Sequence, residues 1–188
     1  MPHFLVSGIA ELVSDVAAAL RENGATVVEV DDLADVSKAC DEAGPGAFDG
    51  YVQLPASFEV QGGSVVQRVH HFFADGVLAR FPAVSAALPC LTPDARLTFV
   101  LGLLPPEVST DDDVAARAAL VRILGHASRA DGPEGLRVSV LESGTSAEEI
   151  AQTASGRRRA SGHRADGYAG DSYADWRVEI LGLMSVEG

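Results

Sequence analysis

Residues 4–31 carry the strongest structural signal in the chain. Residues 4–7 form a short apolar run without alternation, which is typical of a strand buried on both faces. Apolar residues recur at helical spacing over residues 11–23, and Gly24 marks the end of that helix. Residues 26–30 are mostly β-branched and are predicted to form a second strand. A strand, a helix and a strand in this order predict a parallel sheet covered by helices.

The turn between the first strand and the helix is where a nucleotide phosphate would bind in such a unit. Glycines there let the backbone approach the phosphate, and the helix N-terminus supplies free N–H groups. This turn reads SGIAELVS over residues 7–14 and keeps one glycine, Gly8. Asp31 follows the second strand, where an acidic residue can bind a ribose hydroxyl. An aspartate after a strand is also ordinary turn chemistry, which is our preferred interpretation of Asp31.

Composition limits the classes of partner. With 188 residues, 47% of them hydrophobic, we expect a single domain over residues 1–188 with a substantial core. The formal net charge of −13 predicts that nucleic acids and anionic membranes are repelled. The N-terminal apolar run has no Lys or Arg ahead of it, and no apolar stretch is long enough to span a bilayer. We therefore expect a cytoplasmic protein.

The sequence gives no support for a metal site or a disulfide framework. Cys40 and Cys90 fit neither a disulfide pattern nor a metal-ligand spacing, so we expect free thiols. His70 and His71 are adjacent, but no further ligand follows at a suitable spacing. Metal binding is therefore not predicted.

Further strands and helices follow along the chain. Ser64 and Gln67 form a capping-box pattern that begins a long predicted helix over residues 64–88. The apolar face of this helix is wider than contact with one sheet requires, which suggests a second buried surface. The other predicted elements are helices over residues 35–43 and 110–130 and strands over residues 49–55, 96–103 and 174–184.

Taken together, these motifs resemble the short-chain dehydrogenase/reductase (SDR) family. The turn at residues 7–14 is similar in order and spacing to the family's TGxxxGIG turn, and GLRVSVLESG at 135–144 is similar to its GIRVNAVAPG segment. The resemblance implies a three-layer, Rossmann-like, doubly wound α/β domain with a mostly parallel sheet of about six or seven strands. The chain is shortened between the second strand and the strand where the family has NNAG and this sequence has LPAS at 54–57.

The resemblance also locates the family's catalytic tetrad, and all four members are replaced. RLTFVLG aligns with the family's RIVNVSS and places Gly102 at the catalytic serine. RAAL at 117–120 aligns with KAAL, which places Arg117 at the lysine and Asp113, four residues earlier, at the tyrosine. Phe73, three residues before Gly76, occupies the position of the asparagine.

These replacements remove the chemistry of carbonyl reduction. In the family the tyrosine hydroxyl exchanges a proton with the substrate oxygen, the lysine lowers the pKa of that tyrosine, and the serine orients the carbonyl. Glycine has no side-chain donor, and an aspartate ionised near neutral pH cannot give a proton. We prefer a structural role for Asp113, because residues 110–113 read TDDD, a helix-capping sequence. Arg117 could bind an anion or pair with Asp113 one turn away.

The glycine turn is altered in the same way. Leu12 and Ser14 stand at the second and third glycines of the family's pattern, and Glu11 places a carboxylate beside the phosphate position. We therefore predict that no cofactor binds, with Gly8, Asp31 and Arg117 as the residual candidates for nucleotide contact. The sequence indicates a non-catalytic SDR-like protein, a pseudoenzyme that acts by binding.

The resemblance implies a partner as well. We expect a homodimer, or a heteromer with an active SDR paralogue, through helices 64–88 and 110–130. Two alternatives stay open. One is a divergent NAD(P)-dependent oxidoreductase with a different proton donor, and the other is a small-molecule binding module that uses the cofactor cleft.

Residues 155–172 are rich in Gly, Ser and Arg and are predicted to form a mobile loop. The loop carries the only basic cluster of this acidic protein, which could contact a phosphate, an acidic partner or the protein's own acidic surface. We prefer the last interpretation. The cluster consists of Arg157, Arg158, Arg159 and Arg164.

Overall fold

A computed structural model describes residues 1–55, 61–102 and 111–157. Within these residues five strands form one sheet in the order β2-β1-β3-β4-β5, and every neighbouring pair is parallel. The strands are β1 His3–Ser7, β2 Thr26–Val30, β3 Phe48–Gln53, β4 Leu91–Val100 and β5 Arg137–Leu141. The predicted α/β class with a parallel sheet is confirmed. The further strand predicted at residues 174–184 lies outside the described residues.

Helices cover both faces of the sheet, as the three-layer prediction required. They are α1 Ala10–Glu22, α2 Val36–Ala43, α3 Val65–His71, α4 Arg80–Ala87, α5 Asp111–Asp131 and α6 Ala147–Ala154. Helices α1 and α6 pack on one face of the sheet, whereas α2, α4 and α5 pack on the other. Between β2 and β3 the chain has a short 3-10 turn, Leu33–Asp35, and α2. This connection fits the predicted shortening.

The two faces have separate cores because alternate residues of each strand point to opposite sides. Leu5, Tyr51 and Phe99 lie under α2, α4 and α5, and Val6, Val52 and Val100 lie under α1 and α6. Since both faces are covered, the strands are apolar almost throughout, which is why they show no alternation in the sequence.

The predicted continuous helix over residues 64–88 is wrong. Its first turn has the predicted capping box, in which Ser64 and Gln67 bond each other's backbone N–H. After α3, however, Phe72–Leu78 adopts a π-helix before α4 begins. Gly76 weakens the α-helix within this stretch, and the ring of Pro82 would clash with the carbonyl of Leu78, four residues earlier. Widening the preceding turn removes that clash.

Two other expectations concern single side chains. Cys40 and Cys90 are free and buried, and the Cys90 thiol donates to the Cys40 carbonyl at 3.5 Å. Burial, together with neighbouring Cys90, raises the pKa of Cys40 to about 12.

Arg157 donates to the side chain and, at 3.0 Å, to the carbonyl of Asn23 at the end of α1. Arg157 therefore contacts its own molecule, but at a neutral asparagine and not at the predicted acidic surface, while Arg158, Arg159 and Arg164 lie outside the described residues.

No helix among the described residues has the length and apolar character needed to cross a membrane.

The substitution Gly8→Ala is expected to destabilise the protein by at least about 2 kcal/mol. Gly8 has a φ of +142°, and a Cβ placed there would lie 2.6 Å from the Leu54 Cβ and 2.8 Å from the Pro55 oxygen. Gly24→Ala is the control, because Gly24 also has a positive φ, +83°, but has nothing within 4 Å of the added carbon. We expect Gly24→Ala to cost about 1 kcal/mol. Urea unfolding compares the two, and equal losses would contradict the crowding at Gly8.

Candidate functional site

The strand order defines a crevice at the carboxyl ends of the strands. After β1 the chain moves outward to β2, and it then returns to place β3 on the other side of β1. Ligands of open α/β sheets bind outside the strand ends at such a switch point. Gly8 follows β1 at this point, and Leu54 and Pro55 follow β3.

The backbone at the switch point is closely bonded to itself. The Leu54 N–H donates to the Ser7 carbonyl at 2.8 Å, and the Ile9 N–H donates to the Pro55 carbonyl at 2.9 Å. The N–H that precedes α1 is therefore already paired with the protein's own carbonyl. Glu11 is exposed in the first turn of α1, as the sequence suggests.

Leu12 is partly buried, whereas Asp31 is exposed. The Leu12 side chain packs against the core under α1. Asp31 is exposed directly after β2, and the neighbouring Asp32 provides the turn bond by accepting from the Ala34 N–H at 2.9 Å. Gly8 and Asp31 lie at neighbouring strand ends, because the Gly8 N–H donates to Val30 at 3.2 Å.

Arg117 and Gly102, two of the proposed tetrad positions, are in contact. Arg117 projects from α5 and is 7% exposed, and its Nη1 donates to the Gly102 carbonyl just beyond β4. The Arg117 Nε is buried and has no hydrogen-bond partner among the described residues. A Cβ at Gly102 would lie 3.2 Å from the Pro55 Cβ, so the ends of β3 and β4 approach each other here.

The other two tetrad positions are less informative. Phe73 lies in the π-helix, where its ring meets Phe72 edge to face at 5.2 Å. It packs in a small apolar cluster with Leu120, which lies one turn beyond Arg117 on α5. Phe73 and Arg117 are thus on neighbouring elements. The backbone of Asp113 belongs to α5, and its side chain lies outside the described part of the structure.

Arg80, which no sequence motif marks, is the most buried charged residue among those described at this end of the sheet. It is 4% exposed, and its Nε and Nη2 donate to the side-chain and backbone oxygens of Gln53, both at 2.9 Å. The Gln53 amide donates to the Tyr51 hydroxyl at 3.2 Å, and that hydroxyl is 2.8 Å from the Ser7 Oγ. The Arg80 guanidinium lies 5.6 Å from the centre of the Phe99 ring. Two features of the sequence could have indicated this pair: Arg80 interrupts an apolar helical face, and Gln53 interrupts an apolar strand.

Burial controls the protonation of these groups. Burial lowers the pKa of Arg80 to about 10, with Tyr51 opposing and the charge of Arg117 adding to the shift. Burial also lowers the pKa of Arg117, against the opposing effect of Glu142. Burial raises the pKa of Tyr51 to about 12. At neutral pH the site therefore holds two guanidinium cations and a neutral phenol.

The arrangement favours anion binding over acid–base chemistry. In the described ranges no carboxylate forms an ion pair with Arg80 or Arg117. The same ranges contain no group of three His, Cys, Asp or Glu side chains that could hold a metal ion. His71, at the end of α3, contacts the carboxylate of Asp75 in the π-helix at 3.0 Å.

The parallel sheet, its strand order and the helices on both faces define a Rossmann-like, doubly wound α/β fold. No protein-family model and no curated protein sequence matches the chain. Solved structures do match. BdcA from E. coli has 18% sequence identity and a TM-score of 0.53, with coverage of 82% of this chain and 87% of that one. A Serratia marcescens short-chain dehydrogenase/reductase variant has 16% identity and a TM-score of 0.60, with the same coverage of 82% and 87%.

A further match corrects one prediction. BdcA in complex with NADPH has 16% identity and a TM-score of 0.53, with coverage of 82% of this chain and 85% of that one. The sequence alone predicts no cofactor, because two glycines are missing from the turn at residues 7–14. That prediction is contradicted, since a protein of the same fold holds NADPH. At such low identity the likeness establishes the fold of this chain and leaves its residues to be judged individually.

The substitution Tyr51→Phe is expected to destabilise the protein by about 1 kcal/mol at neutral pH, because the Gln53 and Ser7 groups lose a buried partner. The folded state keeps the Tyr51 proton, whereas an unfolded tyrosine releases it near pH 10. The contribution of the hydroxyl is thus complete below about pH 10 and is lost as pH rises toward about 12. Urea unfolding of both proteins across this range measures the difference. Because wild type and Tyr51→Phe both contain Arg80, its titration affects the two proteins alike. A difference in unfolding free energy that grows with pH would contradict a buried, neutral Tyr51 phenol.

Proposed function

We propose that this chain is an SDR-like protein that works by binding and does not carry out the family's carbonyl reduction. The observation that carries the proposal lies just beyond the end of β4. There the position aligned with the catalytic serine is Gly102, and its carbonyl accepts a hydrogen bond from Arg117, which stands at the lysine position. The arginine is thus bonded to the main chain at the place where the family positions a substrate oxygen.

The protonation states support the same conclusion. A general acid works best when its pKa lies near the operating pH. Arg80 titrates near pH 10, and Tyr51, with a pKa of about 12, is fully buried and bonded to Ser7. Neither group is suited to give a proton to a carbonyl oxygen at neutral pH, and neither hydroxyl of the Ser7–Tyr51 pair reaches the surface.

Turnover measurements test this proposal directly. Purified protein mixed with NADPH or NADH and a panel of aldehydes and ketones is expected to oxidise nucleotide no faster than the same mixture without protein. An active SDR assayed in parallel controls for the panel. Oxidation that rises in proportion to protein concentration, and that falls at least about tenfold in Arg117→Gln, would overturn the proposal.

A divergent NAD(P)-dependent oxidoreductase is the second candidate, and the NADPH complex of BdcA favours it. Gly8, Asp31 and Arg117 are then the residues that would contact the nucleotide. Nucleotide binding without turnover, measured by the fluorescence of the nucleotide, is consistent with both candidate functions. Turnover fits only the second.

We also infer that the chain assembles through α3, the π-helix, α4 and α5, by pairing with the same elements of a second copy. Helix α3 has no buried residue, and its Val65 and Val66 are 56% and 78% exposed. Leu78, at the end of the π-helix, is 46% exposed. An apolar surface of this kind is commonly covered by another chain.

The substitution Val66→Lys is expected to reduce the native particle from twice the chain mass of 19.5 kDa to a single chain, because it places a charge in the proposed contact. Native mass spectrometry or sedimentation measures the change. Ala18→Lys is the control, since Ala18 is exposed on α1 over the opposite face of the sheet. A wild-type monomer would contradict the inference. A particle from the native host with a second subunit of different mass would replace the homodimer with a heteromer.

A further inference from the structure

Two buried cations lie close together at the carboxyl ends of β3 and β4. Arg80 and Arg117 are 4% and 7% exposed, and the charge of Arg117 acts on Arg80. Arg80 is held by both oxygens of Gln53 and so has a fixed orientation. Arg117 has one bond, to the Gly102 carbonyl, and a buried Nε without a partner in the described ranges. Neighbouring Pro55 and Gly102 are partly buried.

Such a pair is costly without an anion. Buried charges in proteins are normally paired or fully hydrogen-bonded, and an orphaned donor keeps its desolvation cost. The chain as a whole carries a formal charge of −13, yet these two buried guanidinium groups form no ion pair with any carboxylate of the described residues. Glu142 acts on Arg117 electrostatically, but it is exposed and forms no ion pair with it in the described structure.

We propose that Arg117, supported by the fixed charge of Arg80, binds the anionic group of a small-molecule ligand, a carboxylate or a phosphate, at the ends of β3 and β4. This inference rests on the proposed function, that the chain works by binding, and it names the chemistry of the ligand. A guanidinium presents its N–H groups as a planar fork that matches two oxygens of an oxyanion. With Nη1 bonded to Gly102, the Nε of Arg117 is left to donate to such an oxygen.

Arg80 supplies charge in this site and does not touch the ligand. Its Nε and Nη2 are both engaged by Gln53, and Gln53 is bonded in turn to Tyr51. A cation fixed in this way stabilises a nearby anion without moving, and low local polarity strengthens its effect. Arg80 is therefore a positioning residue, and Arg117 is the binding residue.

The test uses the whole protein and titrates inorganic phosphate or acetate, with chloride at matched ionic strength as the reference. Calorimetry and the midpoint of thermal unfolding are the readouts, and no nucleotide is present. Wild type is expected to bind one of the two anions and to be stabilised by it beyond the effect of chloride. Arg117→Gln is expected to lose on the order of 10- to 100-fold in affinity, and Arg117→Lys, which keeps the charge but not the fork, to lose less. The phosphate and acetate arms distinguish the two anionic groups.

Arg137→Gln is the matched control, because Arg137 is an exposed arginine at the amino end of β5, away from the carboxyl ends of the strands. Its affinity is expected to equal that of wild type, and an equal loss would overturn the proposal by showing diffuse attraction. Circular dichroism establishes that each variant is folded. If Arg117→Gln does not fold, the comparison of wild type with Arg117→Lys provides the test. No response of wild type beyond chloride would also overturn the proposal. Anion binding that is seen only in Asp113→Asn would overturn the proposal as well, because the Asp113 carboxylate would then occupy the site in wild type.

The two proposals fail separately. Carbonyl-dependent nucleotide oxidation would overturn the non-catalytic function and leave anion binding intact. Absence of anion binding in protein that is also inactive would overturn this inference alone.

Discussion

The attachment of Arg80 to Gln53 fixes the geometry of the whole carboxyl end of the sheet. A guanidinium that is almost fully buried needs hydrogen bonds of good geometry, and the end of β3 supplies two of them. The start of α4 is therefore held against the end of β3. Helix α5 packs beside α4 over the same core and brings Arg117 to Gly102. One buried charge thus links the strand ends to the helices above them.

Much of the scaffold could be predicted because its signals are local. Strands β1 and β2 with α1 follow from apolar periodicity and from a glycine after the helix, and the capping box at Ser64 and Gln67 marks a helix start. The segment GLRVSVLESG contains β5 at the expected place. Parallel strands that are covered on both faces leave a continuous apolar pattern that depends little on distant residues. The layer order then follows from the connections.

The site was harder to predict because its bonds join residues that are distant in the sequence. Arg80 and Gln53 are 27 residues apart, and helical periodicity assigns an arginine at this position no partner. The π-helix contains Gly76 and precedes Pro82, and neither residue by itself predicts a π-helix. The prediction of no cofactor failed for a related reason. Missing glycines describe one turn, whereas nucleotide binding depends on a whole crevice, and the same fold holds NADPH in BdcA.

The free, buried thiols of Cys40 and Cys90 can be used to measure internal motion in the unmodified protein. Alkylating reagents attack the thiolate, and burial leaves almost none of it on Cys40 at neutral pH. The contact joins α2 to the turn before β4 and both sulfurs are buried, so labelling of either sulfur requires this part of the core to open. The labelling rate of the unmodified chain therefore reports how often this face of the core opens, without any engineered label.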